Sequence, residues 1–142
     1  MTDPAAANRS LVLRFLDETH AGRLDVIDEL VAETIVTHGF PGGASPASRQ
    51  QYRQFFSDFG AAFADMDYRT LAVVADAGMV AVRFRVIASH RGSFAGIPAT
   101  GRRVDFTGMV FYRIADGRIA ETWLQPDTAA LLAQIGAPAA AA

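Results

Sequence analysis

Two residue types with a wide chemical repertoire are missing from this 142-residue sequence, which contains neither cysteine nor lysine. Without cysteine, disulfides, thiolate metal sites and cysteine nucleophiles are excluded. All 13 basic residues are arginines, so Schiff-base chemistry and the P-loop lysine are excluded as well. The sequence also has no HExxH, GxSxG or GxGxxG motif. A metal site, a serine hydrolase and a dinucleotide enzyme therefore have no support.

Strong charge and long apolar runs are absent too. A formal net charge of −2 provides no basic surface for nucleic acid or for an anionic membrane. No apolar run approaches the roughly 20 residues that span a bilayer. The N-terminus lacks a basic segment followed by an apolar stretch, as a secretory signal would have. We therefore expect a cytoplasmic protein with no nucleic-acid or membrane partner.

Apolar residues, in contrast, are abundant. They make up 51% of the chain and include 10 phenylalanines. The length predicts a single domain over residues 1–142, with residues 1–7 and 137–142 expected to be frayed. A small domain with this much apolar surface is typical of a protein with a subunit interface, an apolar ligand cavity, or both.

Apolar residues at helical spacing predict three helices in the first half of the chain. The first begins at Asp3-Pro4 and ends near Gly22, and a shorter one covers about residues 24–31. The third begins at Ser45-Pro46 and carries a stripe of aromatic residues. This stripe consists of Tyr52, Phe55, Phe56, Phe59 and Phe63.

After Asp65 the apolar period changes from 3.6 to 2, which predicts an antiparallel meander. Its strands are expected at about residues 68–75, 80–86, 104–114 and 119–125, and Asp116-Gly117 is the clearest hairpin turn. Helices followed by a meander predict an α+β fold. We expect a curved antiparallel sheet, wrapped as a cone around the N-terminal helices, that leaves room for a small ligand.

Several segments resemble the SnoaL-like polyketide (ester) cyclase family of the nuclear-transport-factor-2-like superfamily. They are HRGSFAGIPATGRRV at 90–104, YRIADGRIAETW at 112–123, VLRFLDE at 12–18, LDVIDELV at 24–31 and Thr37-His38. The similarity extends from about Asn8 to Ile135. It implies a cofactor-free enzyme that acts on a hydrophobic, polyketide-like molecule, and it implies a homodimer.

The resemblance also implies where the family's catalytic groups would lie. In characterised cyclases an acid on the last strand is the general base for an intramolecular aldol closure, and a histidine on the preceding strand assists. The turn at Asp116-Gly117 and the helix start at Pro126-Asp127 place these groups at Leu124 and Val110. Both positions are apolar here, so we expect a site that uses other residues.

His38, His90 and Glu121 are the predicted catalytic residues. His38 enters a glycine-rich loop at the expected cavity mouth, and His90 shares the parity of the apolar face of its strand. Glu121 is the one carboxylate near the missing acid. The structural alternative for His38 is a surface histidine, and for His90 it is an anchor of the following loop. For Glu121 it is a strand residue paired with Arg118 or with an arginine across the sheet. His20, at the end of the first helix, is interpreted as a partner of the helix dipole.

Residues of the aromatic stripe and of the inward-facing strand positions are predicted to bind the substrate. They are Tyr52, Phe55, Phe59, Phe84, Val110, Tyr112, Thr122, Trp123 and Leu124. Simple alternation places Thr122 with Leu124 on one face, and Glu121 with Trp123 on the other.

No metal is expected. Related reactions on the same fold (hydroxylation, isomerisation, dehydration or epoxide opening) and non-catalytic ligand binding are alternatives. The homodimer is predicted to form through the open sheet face, with Met109 and Phe111.

Overall fold

The computed structural model describes residues 3–41 and 45–136, which form four helices and five strands. The helices are α1 Pro4–His20, α2 Val26–Leu30, α3 Arg49–Ala62 and α4 Thr128–Gln134. The strands are β1 Val31–His38, β2 Phe63–Ala75, β3 Met79–His90, β4 Arg103–Ala115 and β5 Arg118–Pro126. Within these residues, no helix is both long enough and apolar enough to cross a bilayer.

Side-chain caps determine where three of the helices begin. Asp3 accepts a hydrogen bond from the Ala5 amide, as the sequence predicted for the start of α1. Residues 4–7 are thus the first turn of α1. Residues 1–2 and 137–142 lie outside the described residues. Asp127 caps α4 by accepting from the Ala130 amide.

Helix α3 differs from its predicted bounds at both ends. Its cap is Ser48, which accepts from the Gln51 amide, so the helix begins at Arg49 and not at Ser45-Pro46. It ends at Ala62, and Phe63 is the first residue of β2 instead of the last member of the aromatic stripe. The periodicity placed Phe63 in the helix because a residue at the junction fits the apolar pattern of both elements.

The five strands form one curved sheet in the order β1-β5-β4-β3-β2. Strand β1 pairs with β5 in parallel, and the other three pairs are antiparallel. At the turn between β4 and β5, Asp116 and Gly117 both have positive φ, as a tight hairpin turn requires. The α+β fold and its unclosed, curved sheet confirm the predicted fold class.

The sheet has one covered and one open face. The covered inner face carries the even-numbered residues of β3 and β4, and Val80, Val82 and Val86 are buried there, as the sequence predicted. Helices α1 and α3 pack on this side. The outer face carries the odd-numbered residues, including Arg85, whose guanidinium binds the Asp105 carboxylate at 2.6 Å. This ion pair joins β3 to β4 across the outer face.

Candidate active site

A partly open cavity of about 80 Å³ lies between the inner face of the sheet and the helices α1 and α3. Most of its wall is aromatic or aliphatic. The lining residues include Leu16, His20, Phe40, Pro41, Tyr52, Phe55, Phe56, Phe59, Tyr68, Phe84, Val86, Phe106, Val110, Tyr112, Thr122, Leu124, Pro126 and Leu131. No carboxylate and no arginine is among these described residues, so the charged side chains of the chain face elsewhere.

Eight of the nine predicted substrate-binding residues lie on this wall. They are Tyr52, Phe55, Phe59, Phe84, Val110, Tyr112, Thr122 and Leu124. Trp123 does not, because alternation along β5 directs it to the outer face, where it stacks on His38 at 5.4 Å between ring centroids. Two neighbours on that strand, Thr122 and Leu124, face the cavity, in agreement with the parity that the sequence predicted.

Among the predicted catalytic residues, His38 and Glu121 come together, but on the outer face of the sheet. The His38 Nε2 and a Glu121 carboxylate oxygen lie 2.8 Å apart, and the other Glu121 oxygen accepts from Arg113 Nε at 3.2 Å. The hydrogen bond with His38 lowers the pKa of Glu121, and the bond from Arg113 adds to this effect. Neither His38 nor Glu121 lines the cavity. Glu121 lies on the face that simple alternation gave it, and its pairing with Arg113 across the sheet is the structural alternative stated for it.

His90 is completely buried but does not line the cavity either. Its Nδ1 accepts hydrogen bonds from the Thr100 amide at 3.3 Å and from the Thr100 hydroxyl at 2.9 Å. The backbone of His90 also bonds to Gly101 and Arg102. His90 therefore anchors the connection between β3 and β4, which was the structural alternative given for it.

The cavity wall does contain a histidine, and it is His20. Its Nδ1–H donates to the Leu16 carbonyl at 2.8 Å, so Nε2 is the acceptor nitrogen of the neutral ring. The ring stacks on Tyr68 with centroids 3.8 Å apart and meets Phe56 edge-on. Burial lowers the pKa of His20 to about 4, which keeps it uncharged at neutral pH.

One feature of the sequence carried information about His20. It follows Leu16 by four residues, so it continues the apolar stripe of α1 onto the same side of the helix. The helix-dipole interpretation treated the ring as an exposed cation. The second missed residue, Tyr68, opens the predicted strand 68–75, but nothing in the sequence shows that the end of α1 packs against it.

Tyr52, Tyr68 and Tyr112 bring three phenol groups to the wall. Burial raises the pKa of each of them, so all three stay protonated and can donate hydrogen bonds at neutral pH. The hydroxyls of Tyr68 and Thr122 are buried and make no hydrogen bond within the described residues. Buried polar groups normally have partners, so these two hydroxyls point to a ligand or to water in the cavity.

Val110 and Leu124 are the two positions where the resemblance implied the histidine and the acid of the family. They are direct cross-strand partners in the β4–β5 ladder, and both line the cavity. An acid and a histidine at these positions would meet side by side. Here they form an apolar patch, so the polar groups of the wall lie at Thr122, at the three tyrosines and at His20.

The described wall thus combines one uncharged proton acceptor with several hydroxyl donors in apolar surroundings. Such groups can bind a carbonyl, enol or phenol oxygen and can move a proton on the ligand. Within the described residues, no three His, Cys, Asp or Glu side chains cluster as a metal site would require.

A curved, open sheet around N-terminal helices, with a cavity between them, defines an α+β cone fold. Within that class, the chain belongs to the SnoaL-like polyketide cyclase family, whose model matches residues 10–135. This confirms the family to which the sequence motifs pointed.

Solved structures show the same fold over nearly the whole chain. A proposed SnoaL-like polyketide cyclase from Jannaschia sp. CCS1 has 23% identity and a TM-score of 0.88, with 98% of each chain covered. IdmH of Streptomyces antibioticus, a proposed polyketide cyclase, has 28% identity and a TM-score of 0.76, covering 89% of this chain and 96% of its own. AclR of Streptomyces galilaeus, a proposed hydroxylase, has 25% identity and a TM-score of 0.80, covering 93% and 97%. No curated protein matches the sequence.

Proposed function

We propose that this protein is a cofactor-free enzyme that closes a ring in a hydrophobic, polyketide-like carbonyl compound. The observation that carries the proposal is the polar part of the cavity wall, where a neutral imidazole faces the same apolar space as three protonated phenols and a threonine hydroxyl. Family membership and the similarity to IdmH support a cyclase. The apolar wall supports a hydrophobic substrate.

The hydroxyl groups bind the carbonyl oxygen of the substrate. The hydroxyls of Tyr68 and Thr122 have no hydrogen-bond partner of good geometry within the described residues, although the Thr70 side chain interacts with the Tyr68 hydroxyl. A bound oxygen atom would satisfy both hydroxyls. As the adjacent carbon loses a proton, negative charge develops on this oxygen, and fixed donors in an apolar site stabilise that charge strongly. Because burial raises the pKa of the phenols, they donate the hydrogen bond and remain protonated.

His20 accepts the proton. Its Nε2 lone pair removes a proton from the carbon next to the carbonyl group, and the electrons of that C–H bond form the C=C bond of an enolate. The enolate carbon then attacks a second carbonyl group of the same molecule, which forms the C–C bond and an alkoxide. The alkoxide takes the proton back from the His20 imidazolium, so the enzyme returns to its starting state. The Leu16 carbonyl holds the ring in the required tautomer.

Hydrogen exchange on a simple ketone tests the proton-transfer step. The protein should accelerate the exchange of the α-protons of 2-tetralone for deuterium in D2O, as followed by NMR. We expect His20→Gln to lower this rate at least tenfold, since glutamine forms hydrogen bonds but does not take the proton. Tyr68→Phe should lower it by a similar factor, since it removes a donor to the enolate oxygen.

His38→Gln is the matched control, because it makes the same chemical change on the outer face of the sheet. It should leave the exchange rate unchanged. A wild-type rate equal to that of buffer, or equal losses in both histidine variants, would contradict the proposal. Analysis of products from a natural substrate separates ring closure from isomerisation. A product that requires oxygen would instead indicate hydroxylation, the reaction proposed for AclR.

The apolar pair Val110–Leu124 favours a second candidate function, a ligand-binding protein without catalysis. This pair occupies the positions that the resemblance assigned to the catalytic groups of the family. Recovery of a tightly bound hydrophobic ligand in unchanged form, together with no exchange activity, would support this second function.

We also propose that the protein forms a homodimer through the outer face of the sheet. Exposed apolar side chains lie there on neighbouring strands, with Val74 71%, Met109 60% and Phe111 53% exposed. The register places Val74, Ala81, Phe111 and Trp123 in one row across β2, β3, β4 and β5. A second copy of the chain is the occupant that this surface fits, because the same apolar row on both copies is self-complementary.

A further inference from the structure

The cavity by itself is too small for the kind of substrate proposed above. Its volume of about 80 Å³ is below the roughly 150 Å³ of an engineered cavity that binds benzene. Sites for cofactors and drug-sized molecules occupy about 300–1,000 Å³. The cavity alone therefore holds an oxygenated end of a ligand, and the remainder requires further space.

A second hollow lies directly beside the cavity. It is a groove of about 420 Å³ between the end of α1, the second half of α3 and the start of β2. Its polar side chains include Ser57 and Asp65, whose carboxylate pairs with Arg91 at 3.2 Å. Leu24, Phe63 and Met66 make much of the remaining surface apolar.

Three side chains belong to the walls of both spaces. They are His20, Phe56 and Phe59. A residue that lines two hollows lies between them, so these three rings form the partition. Phe56 contacts the His20 ring edge-on at 5.8 Å, and Phe59 packs against Phe63 at 4.9 Å. Both phenylalanines are only partly buried, so neither is locked in the close-packed centre of the core.

We propose that the groove and the cavity are two parts of one binding site, joined when the Phe56 and Phe59 rings turn aside. The ligand is an elongated, uncharged hydrophobic molecule. It places a carbonyl, enol or phenol group in the cavity and its remaining apolar length in the groove. The orientation of this ligand rests on the proposed function, which locates the oxygen-binding hydroxyls inside the cavity.

This arrangement assigns a position to the reacting carbon. Tyr68 and Thr122 line the cavity alone, whereas His20 lines both the cavity and the groove. A ligand whose oxygen is bound inside therefore has its next carbons at the partition, where the His20 ring stands. The partition thus holds both the entrance and the proton acceptor.

Gly60 offers a way to fill the groove without disturbing the cavity. It lies on α3 in the wall of the groove, and a Cβ atom added there meets no atom within 4 Å. A larger residue also suits a helix better than glycine does. Gly60→Leu should therefore fold and occupy the groove, and Gly60→Ala is the matched control that leaves the groove open.

A series of 4-alkylphenols measures the length of the site by calorimetric titration. For the wild type, we expect the affinity to rise about three- to fourfold for each methylene from 4-ethylphenol to 4-octylphenol, as the chain enters the groove. Gly60→Leu should weaken 4-octylphenol binding at least tenfold and weaken 4-ethylphenol binding much less, because the shorter molecule fills less of the groove. Gly60→Ala should behave as the wild type does.

Two results would overturn this inference. One is an affinity of the wild type that does not depend on chain length, including the absence of binding throughout the series. The other is the same gain with chain length in Gly60→Leu as in the wild type. Both are binding measurements, so they fail independently of the exchange experiment. If exchange is absent while the chain-length effect holds, the groove remains and the proposed chemistry is wrong.

Discussion

At the scale of single residues, the least usual feature is a set of three buried polar atoms without partners in the described part of the chain, two of them hydroxyls and the third Nε2 of His90. The hydroxyls of Tyr68 and Thr122 form no hydrogen bond within the described residues, although both are enclosed. Leaving a buried donor unpaired costs about 1–3 kcal/mol, so such groups persist mainly where they serve a function. The unpaired hydroxyls thus explain both the loss of folding free energy and the proposed binding of a ligand oxygen.

Thr122→Val removes one of these hydroxyls and keeps a β-branched side chain in the strand. We expect the free energy of unfolding to rise by about 1 kcal/mol, because valine needs no hydrogen-bond partner. The same variant should lose exchange activity on 2-tetralone. Urea unfolding and the exchange rate are the two measurements.

Thr37→Val is the control for this prediction. Thr37 is the direct cross-strand partner of Thr122, but its hydroxyl donates to the Pro46 carbonyl at 2.6 Å. Its replacement should lower the free energy of unfolding by about 1 kcal/mol. A loss of stability in both variants would mean that the Thr122 hydroxyl has a partner in the folded protein.

At the scale of elements, the end of helix α1 shows two opposing effects on one histidine. A helix C-terminus stabilises a cation, which is why His20 was interpreted as a partner of the dipole. Desolvation acts in the opposite direction and is larger, since it lowers the pKa of His20 to about 4 despite the hydrogen bond to Leu16. Because His20 packs against Tyr68 on β2, the end of α1 carries a neutral imidazole instead of a cation.

The lowered pKa predicts a loss of stability in acid. Unfolded His20 binds a proton below its ordinary pKa of 6.5, whereas the folded protein binds it only near 4. The free energy of unfolding should therefore fall as the pH drops from 6.5 to 4, by about 2–3 kcal/mol from this group. Urea unfolding of the wild type and of His20→Gln across this range measures the difference, since the carboxylates are common to both. If the free energy of unfolding falls equally with pH in the wild type and in His20→Gln, the lowered pKa of His20 is contradicted.

Strand β5 shows what alternation predicts and what it leaves open. Period two correctly placed Thr122 and Leu124 on one face and Glu121 and Trp123 on the other. Alternation does not predict which residues of other elements lie beside each face of β5. The parallel pairing with β1 brings His38 beside Trp123 and within reach of Glu121, and the antiparallel pairing with β4 adds Arg113. His38 and Arg113 explain the lowered pKa of Glu121 without a catalytic role.

At the scale of the whole molecule, the apolar row on the outer face predicts the oligomeric state. The wild type should have twice the 15.2 kDa mass of one chain in light scattering after size-exclusion chromatography. Phe111→Asp places a charge in the middle of the row and should produce the single-chain mass. The control is Leu71→Asp, since Leu71 is also exposed but lies at a bulge of β2, outside the row. A wild type at 15.2 kDa, or equal effects of both variants, would contradict the dimer.

The sequence by itself determined the α+β cone, the order of its elements and most of the apolar cavity wall. It did so because the apolar period, the helix caps and the turn residues depend on residues that are close together in sequence. The buried face of a strand can likewise be predicted from the alternation of its own apolar residues. Only the tertiary structure decided which polar groups reach the cavity. His38 lies on the exposed outer face of the sheet, whereas His20 stacks on the Tyr68 phenol, and both placements depend on elements that are far apart in sequence. The desolvation that lowers the pKa of His20 and keeps it neutral exists only after α1 has packed against β2.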